Sequence, residues 1–471
     1  MIRTLLLLLY VTLILTVIFV ERKSPTEALL WVIVLVCLPY FGAVLYLIFG
    51  STTAIKLTSF FRKRRLRKRL PAAAAPQELI HEAELSEEDR QVIRFNSVYN
   101  QSKLTCYEDA QIFTTGESHY RALFRDIKEA KECIYIEFYT IHHDVMGEAL
   151  IRALTEKAKQ GVTVLVMCDF IANLSTPHRM FRPLLEAGGK AIRIKPYLTH
   201  YRSHRKIVSI DHRIGYIGGM NIGKQYANLG EKKNPWRDTQ VRLTGACAAI
   251  LDAYFLTDWL CAVRRKDWEP SVAYMESLQL PQYPKTQDLC QFIIGGVDND
   301  KEAVKMCYLS MIRSARHKIR IQTPYFIPDA SILDALKTAA ASGVEIELMI
   351  PGIKASFFLD PVTTYYAGQL MEYGAKIHKY QGYIHAKTMV IDGELCCIGS
   401  VNMDMRSLMV DDEVCGVFYS NDLVAHYADL FREDIGHCTP YLWEDFIHRG
   451  RKEKMAESIF LPFAPDRKSV V

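Results

Sequence analysis

His204 and Lys206 stand two positions apart and are followed by Asp211, and the same H-x-K-x-x-x-x-D spacing returns in His385, Lys387 and Asp392. Each copy is trailed by a small-residue turn and an asparagine: Gly218-Gly219-Met220-Asn221 in the first, Gly399-Ser400-Val401-Asn402 in the second. Corresponding residues keep one offset of 181 positions (385 − 204, 402 − 221), which marks a duplicated unit rather than two unrelated matches. A neutral imidazole can attack phosphorus or carry a proton, and an adjacent ammonium can hold a non-bridging oxygen. Two imidazoles and two ammoniums from a duplicated unit imply one shared phosphoryl-transfer site. His204, Lys206, Asp211, His385, Lys387 and Asp392 are its catalytic candidates. The two aspartates suit turn formation as well as direct chemistry.

The elements that must position these groups are legible around them. The segments from Tyr201 to Ile210 and from Ile384 to Ile391 are rich in β-branched and apolar residues, so His and Lys two apart are expected on one face of a strand. Asp392-Gly393 reads as the tight turn of a hairpin, with Asp211-His212 as its counterpart. Upstream, Ile134 to Tyr139 corresponds to Ile319 to Tyr325, and a helical stretch leads in each half to a second strand, Gly161 to Val166 and Gly343 to Leu348. Each half is therefore a β-α-β-type module that ends in the motif hairpin, and the fold class is α/β.

Five segments carry a resemblance to a known family: Tyr201 to Val208, Ile217 to Gly223, Pro235 to Thr239, Thr323 to Asp329, and Gly399 to Ser407. The chain resembles the phospholipase D superfamily and, within it, the bacterial cardiolipin synthases. That resemblance implies two fused phospholipase D-like α/β domains with one active site. It implies a phosphatidyl transfer between two phosphatidylglycerol molecules that yields cardiolipin and glycerol through a phosphohistidine, with no cofactor and no metal. By position His204 and His385 take the nucleophile and acid/base roles, with His204 favoured as nucleophile. Lys206, Lys387, Asn221 and Asn402 would stabilise charge on the phosphoryl oxygens, and Ser400 belongs to the same phosphate-binding or orienting set. Asp238 and Glu413 stand where the family has its downstream acid and would orient the imidazoles. Alternatives with the same chemistry use serine, another alcohol or water as acceptor; a membrane-bound nuclease is the alternative of a different class. Two stretches depart from the family pattern: Asp169 is followed by Phe170-Ile171-Ala172-Asn173, and Val410-Asp411-Asp412 precedes Glu413.

Thr4 to Val20 and Ala28 to Phe49 are nearly unbroken apolar runs, read as a transmembrane helical hairpin. Ile18 to Lys23 contains no small-residue cleavage site, against a signal peptide. Lys56, Arg62, Lys63, Arg64, Arg65, Arg67, Lys68 and Arg69 crowd the segment that follows, which places the catalytic body on the cytoplasmic face of a bacterial plasma membrane and offers contact with anionic lipid. The net charge of +5 over 471 residues provides no broad basic field for nucleic acid. The 12 cysteines show no C-x-x-C or His/Cys metal spacing, in keeping with a reducing compartment. Expected divisions are residues 1–50 for the membrane helices, 51–95 for a basic segment and the tether containing Pro71 to Pro76, 96–275 for the first domain and 276–471 for the second, with Pro270 to Thr286 as linker. The apolar stretch Ile459 to Phe463 is expected to pack on the body.

Overall fold

The computed structural model describes residues 2–21, 25–46, 85–195, 202–229, 235–263, 288–296, 302–353, 356–419 and 422–461. The basic cluster Lys56 to Arg69, the Pro71 to Pro76 tether, the Pro270 to Thr286 linker, Tyr201, and Pro462 and Phe463 lie outside the described residues. Two compact units result, one built from the N-terminal helices and one from the catalytic body.

In the N-terminal unit the helix Ile2–Leu15 continues as a single π-helical stretch, Thr16–Val20. The second apolar run forms Pro25–Cys37 and then, after Pro39 and a left-handed Tyr40 (φ 67°), the short helix Phe41–Leu45. Proline lacks the N–H needed to continue the ladder and clashes with the preceding turn, so the run is divided there. Val17, Trp31, Leu35 and Tyr46 pack together, with the Trp31 and Tyr46 rings edge-on at 5.3 Å. The two spans expected from hydropathy are thus found as shorter pieces, and among the described residues no helix is long and apolar enough to cross a membrane.

The body is built on two sheets of matching design. The first has seven strands in the order Asp109–Phe113, Gln240–Thr244, Ile214–Gly218, Ile207–Ile210, Cys133–Phe138, Thr163–Asp169 and Lys190–Ile194. The second repeats that order with Leu289–Ile294, Val414–Tyr419, Leu395–Gly399, Thr388–Ile391, Lys318–Gln322, Glu345–Pro351 and Lys376–Tyr380, and adds Leu104–Cys106 and Cys438–Tyr441 at its edges. In each, the three strands of the β-α-β-α-β run are parallel, while the motif hairpin and its neighbours are antiparallel. Leu104–Cys106 precedes the first sheet in the chain yet pairs with Leu289–Ile294 of the second. The helix Glu87–Val98 likewise packs Val92 and Ile93 into the second half's core.

Both halves also contribute to one shared core. Ile207, Ile217, Val241 and Leu243 of the first sheet pack with Phe292, Val390, Ile398 and Phe418 of the second. Helices Gly116–Glu129 and Val145–Lys159 cover the outer face of the first sheet; Ala303–Ser314 and Ala330–Ala341 cover that of the second. The all-buried pattern of Cys133–Phe138 follows from being covered on both faces.

Candidate active site

The two motif segments meet where the halves join. His204 and Lys206 lie just before the strand Ile207–Ile210, and His385 and Lys387 lie between Tyr383–Ile384 and Thr388–Ile391, so both pairs occupy extended chain leaving the sheet rather than the strand itself. Each motif segment then pairs, in parallel, with a segment of the opposite half. Ser203 bridges Asp412, and Tyr383–Ile384 pairs with Trp236–Arg237. The His204 amide donates to the Asp412 carbonyl at 2.9 Å, and the His385 amide to the Arg237 carbonyl at 2.6 Å.

This pairing places the next residue of each acid-bearing segment against an imidazole. Glu413 meets His204 Nδ1 with both oxygens, at 2.9 and 3.0 Å, and Asp238 Oδ2 meets His385 Nδ1 at 2.6 Å. The carboxylates therefore act across the halves: the acid 34 residues after His204 (238 − 204) serves His385, and the acid 28 residues after His385 (413 − 385) serves His204. With Nδ1 engaged by a carboxylate in each ring, Nε2 is the nitrogen left for chemistry.

The two lysines are almost wholly buried. Lys206 Nζ donates to the His204 carbonyl at 2.6 Å, and Lys387 Nζ donates likewise to that of His385. Burial brings Lys206 down to about 7, with Lys387 adding to the fall against the pull of Glu413. Lys387 is brought down to about 8 by burial, opposed by Asp238 and Glu413. Burial and then the cations Lys206, Lys387 and Arg406 hold His204 well below its ordinary value. His385 is lowered to about 3 by burial and Lys387, with Asp238 working the other way. A desolvated cluster of cations is unfavourable by itself and is relieved by an anion, so the site is suited to an anionic ligand.

The two carboxylates are unlike. Burial pushes Glu413 up to about 7, against Lys206, the Ser400 and Ser407 hydroxyls and Lys387. Burial also raises Asp238, but His385, Lys387 and the Thr239 amide outweigh it and leave Asp238 below its ordinary value. A Gly/Ser difference at one repeat position accompanies this. Ser400 donates its hydroxyl to Glu413 and accepts from the Val414 amide at 3.0 Å. At the equivalent Gly219 a β-carbon would stand 2.1 Å from an Asp238 oxygen, so no side chain fits.

The motif aspartates do something else. Asp211 accepts from the amides of Lys131, Glu132 and Cys133 at 2.8, 2.8 and 3.0 Å, and Asp392 from Arg316, His317 and Lys318 at 2.7, 2.8 and 2.6 Å. They lie at the far end of the hairpin strands, some five residues or roughly 16 Å of extended chain from the lysines. The expectation of Asp211 and Asp392 as catalytic groups is corrected here: both lock the hairpin turn onto the loop entering the central strand. The expected turn is present, with left-handed φ at Asp211 and His212 (50° and 57°) and at Asp392 and Gly393 (53° and 80°).

The two asparagines also differ. Asn221 donates to the Tyr226 hydroxyl at 2.7 Å and accepts from the Thr140 amide at 3.3 Å. Asn402 lines the cleft beside His204, and its Oδ1, though buried, has no hydrogen-bond partner among the described residues. Other groups at the site carry no recognisable spacing in the chain. The Tyr139 ring stands edge-on to His204 at 4.8 Å, and Trp236, Tyr226 and Tyr383 surround His385 at 5.3 to 5.9 Å. Arg406 pairs with Asp411, whose Oδ1 also accepts from the Arg202 amide at 3.1 Å. That gives the Val410-Asp411-Asp412 departure a structural use. The other departure is similar: Asp169 accepts from Ala172 at 2.8 Å and Ser203 at 3.2 Å, and Asn173 caps Tyr139 and Asp169 carbonyls.

Comparison with known proteins places the chain in a family. Residues 123–259 and 308–435 match the family described as cardiolipin synthase, PLD-like domain. The chain belongs to the cardiolipin synthase family. Its members here include the cardiolipin synthase of Listeria monocytogenes serotype 4b (strain CLIP80459), 34% identical with 89% of each chain covered, and the major cardiolipin synthase ClsA of Bacillus subtilis (strain 168), 32% identical with 95% of each covered. Membership makes the chain a phosphatidyltransferase with a duplicated phospholipase D-like body. Residues 8–51 match the phospholipase D-nuclease N-terminal family. In fold the chain is similar to the phosphatidylserine synthase of Haemophilus influenzae Rd KW20, with a TM-score of 0.61, 13% identity, and 79% of this chain and 97% of that one covered.

Proposed function

We propose that this cardiolipin synthase family member transfers a phosphatidyl group from one phosphatidylglycerol to another, with His204 as nucleophile and His385 as acid and then base. The inequality of the two carboxylates carries this division of labour. An ionised Asp238 at 2.6 Å from Nδ1 supports a positive charge on the His385 ring once the substrate phosphate enters. Glu413, pushed up to about 7 and shared with Ser400, supports it less, and burial with the cations Lys206, Lys387 and Arg406 keeps His204 neutral, its Nε2 lone pair available to phosphorus.

In the first step His204 Nε2 bonds to phosphorus while the bond to the glycerol oxygen breaks, and that oxygen takes the His385 proton. In the second, His385 accepts the proton of a glycerol hydroxyl on the next phosphatidylglycerol, and the alkoxide displaces His204 to give cardiolipin. Lys206, Lys387 and the side-chain amide N–H of Asn402 donate to the non-bridging oxygens as charge builds. The exchanged phosphodiester already supplies the energy of the new one, so neither nucleotide nor metal is called for.

Purified protein in phosphatidylglycerol vesicles is expected to form cardiolipin and glycerol in equal amounts, unaffected by chelator. Strict dependence on CTP or a metal would overturn the reading, and phosphatidic acid as sole product would assign water as acceptor. Mass spectrometry of protein quenched without acid should find the adduct on His204, and His385→Ala should accumulate it with a good leaving group. An adduct on His385 in His204→Ala would reverse the roles. The apolar segments before residue 50 and the basic run after it support a plasma-membrane hairpin with the body in the cytoplasm. Impermeant thiol labelling in whole cells of Ser24→Cys, but not Ala73→Cys, is the corresponding result.

A further inference from the structure

Three aromatic rings gather at the edge of the cleft into which His204 faces. Phe357 and Phe358 are 75% and 40% exposed. Phe460, from the helix Arg451–Phe460, lies 5.2 and 4.9 Å from them, ring edge to ring face. Ile459 and Met455 of the same helix are half or more exposed. The next residue after the ring pair, Leu359, lines the cleft together with Tyr139, His204 and Asn402. An apolar cluster of this size left open on a soluble surface marks a contact with something apolar. Arg451, Lys452 and Lys454 are exposed on the same helix alongside Glu453, whereas Glu457 is taken by Arg449 at 2.6 Å.

We propose that Phe357, Phe358 and Phe460 dip into the acyl boundary of an anionic bilayer while Arg451, Lys452 and Lys454 lie at headgroup level. This rests on the lipid-transfer reading above and adds the route by which the lipid arrives. A diacyl substrate must present its phosphate to His204 while its chains stay in an apolar phase. Continuity from the exposed rings through Leu359 to the cleft provides that path. The mixture of large apolar side chains with cations suits an interfacial helix.

The test uses the full chain reconstituted in phosphatidylglycerol vesicles, with an environment-sensitive fluorophore on Phe357→Cys in a Cys37→Ser background and the unsubstituted background as blank. Emission should shift to the blue, be quenched at least 2-fold by lipids spin-labelled in the acyl chain, and resist aqueous iodide. A probe at Val145→Cys, on a solvent-exposed helix residue, should show the reverse. Quenching by iodide and not by lipid would overturn the proposal. Shielding from both quenchers would also overturn it, by assigning the rings to a second copy or to this chain's own residues. As an independent measure, Phe357→Ser with Phe358→Ser should raise the apparent KM for vesicular phosphatidylglycerol about 10-fold and leave turnover of a monomeric short-chain phosphatidylglycerol unchanged. If wild type forms no transfer product even from the short-chain lipid, the functional reading fails; if it does and the vesicle KM is unmoved, only the membrane contact fails.

Discussion

At the scale of single residues, Asp238 and Glu413 hold equivalent imidazoles but are shifted in opposite directions themselves, and the two amide substitutions separate them. Asp238→Asn leaves a partner that cannot stabilise the imidazolium of His385, and kcat should fall by about 10³- to 10⁴-fold, as for other imidazole-orienting carboxylates. Glu413→Gln should cost less, because burial already pushes Glu413 up to about 7 and weakens its charge beside His204. In the free enzyme kcat/KM should fall with rising pH as Lys206 and Lys387 lose their protons near 7 and 8 and can no longer hold the anionic phosphoryl oxygens. Glu413→Gln should leave that base limb in place, and a kcat/KM that stayed level through this range would detach the limb from the two lysines. A third imidazole, that of His212, has a similar look but a different fate. His212 Nδ1 is 2.9 Å from Asp252 and its Nε2 is 3.3 Å from the Cys133 sulfur. Burial and Asp252 push the Cys133 thiol up, so no thiolate forms. Native protein treated with iodoacetamide should remain unmodified at Cys133, as peptide mapping would register.

At the scale of elements, the motif aspartates separate stability from chemistry. Asp392→Ala strands three backbone amides and should lower unfolding free energy by about 1–3 kcal/mol while the folded fraction keeps its turnover; thermal melts beside initial rates would show it. A large fall in kcat with an unchanged melt would return the residue to the chemistry. The hairpin turns, the central strands and the histidine and lysine pairs were readable from the chain because each depends on local spacing repeated at one offset. The cross-pairing of Ser203 with Asp412 and of Tyr383–Ile384 with Trp236–Arg237 was not, since distance along the chain does not say which half an acid will face. The same limit applies to Tyr139 and Trp236, which reach the imidazoles through the fold alone. Leu104–Cys106 is a related case: a three-residue strand has no signal that names its partner sheet. Pro39 was visible inside the second apolar run, and mean hydropathy over a window passes over the break it makes.

At the scale of the whole molecule, one core serves both sheets, so the body should unfold as a unit. Phe292→Ala removes a wholly buried ring from that core and should cost about 3–5 kcal/mol, with loss of activity and loss of tryptophan fluorescence coinciding in denaturant. Separate transitions for the two signals would mean that the halves hold together only loosely.

The Gly219 and Ser400 positions have a wider meaning. Two identical subunits sharing such a site would be bound by symmetry: whatever sat beside one carboxylate would sit beside the other, and neither imidazole could specialise. Joining both copies in one chain lifts that constraint, because each copy is free to mutate alone. Here one copy has a glycine against its charged carboxylate and the other a serine whose hydroxyl binds its counterpart. Covalent fusion thereby lets two equivalent imidazoles keep unlike partners, a difference that a symmetric pair of subunits could not hold.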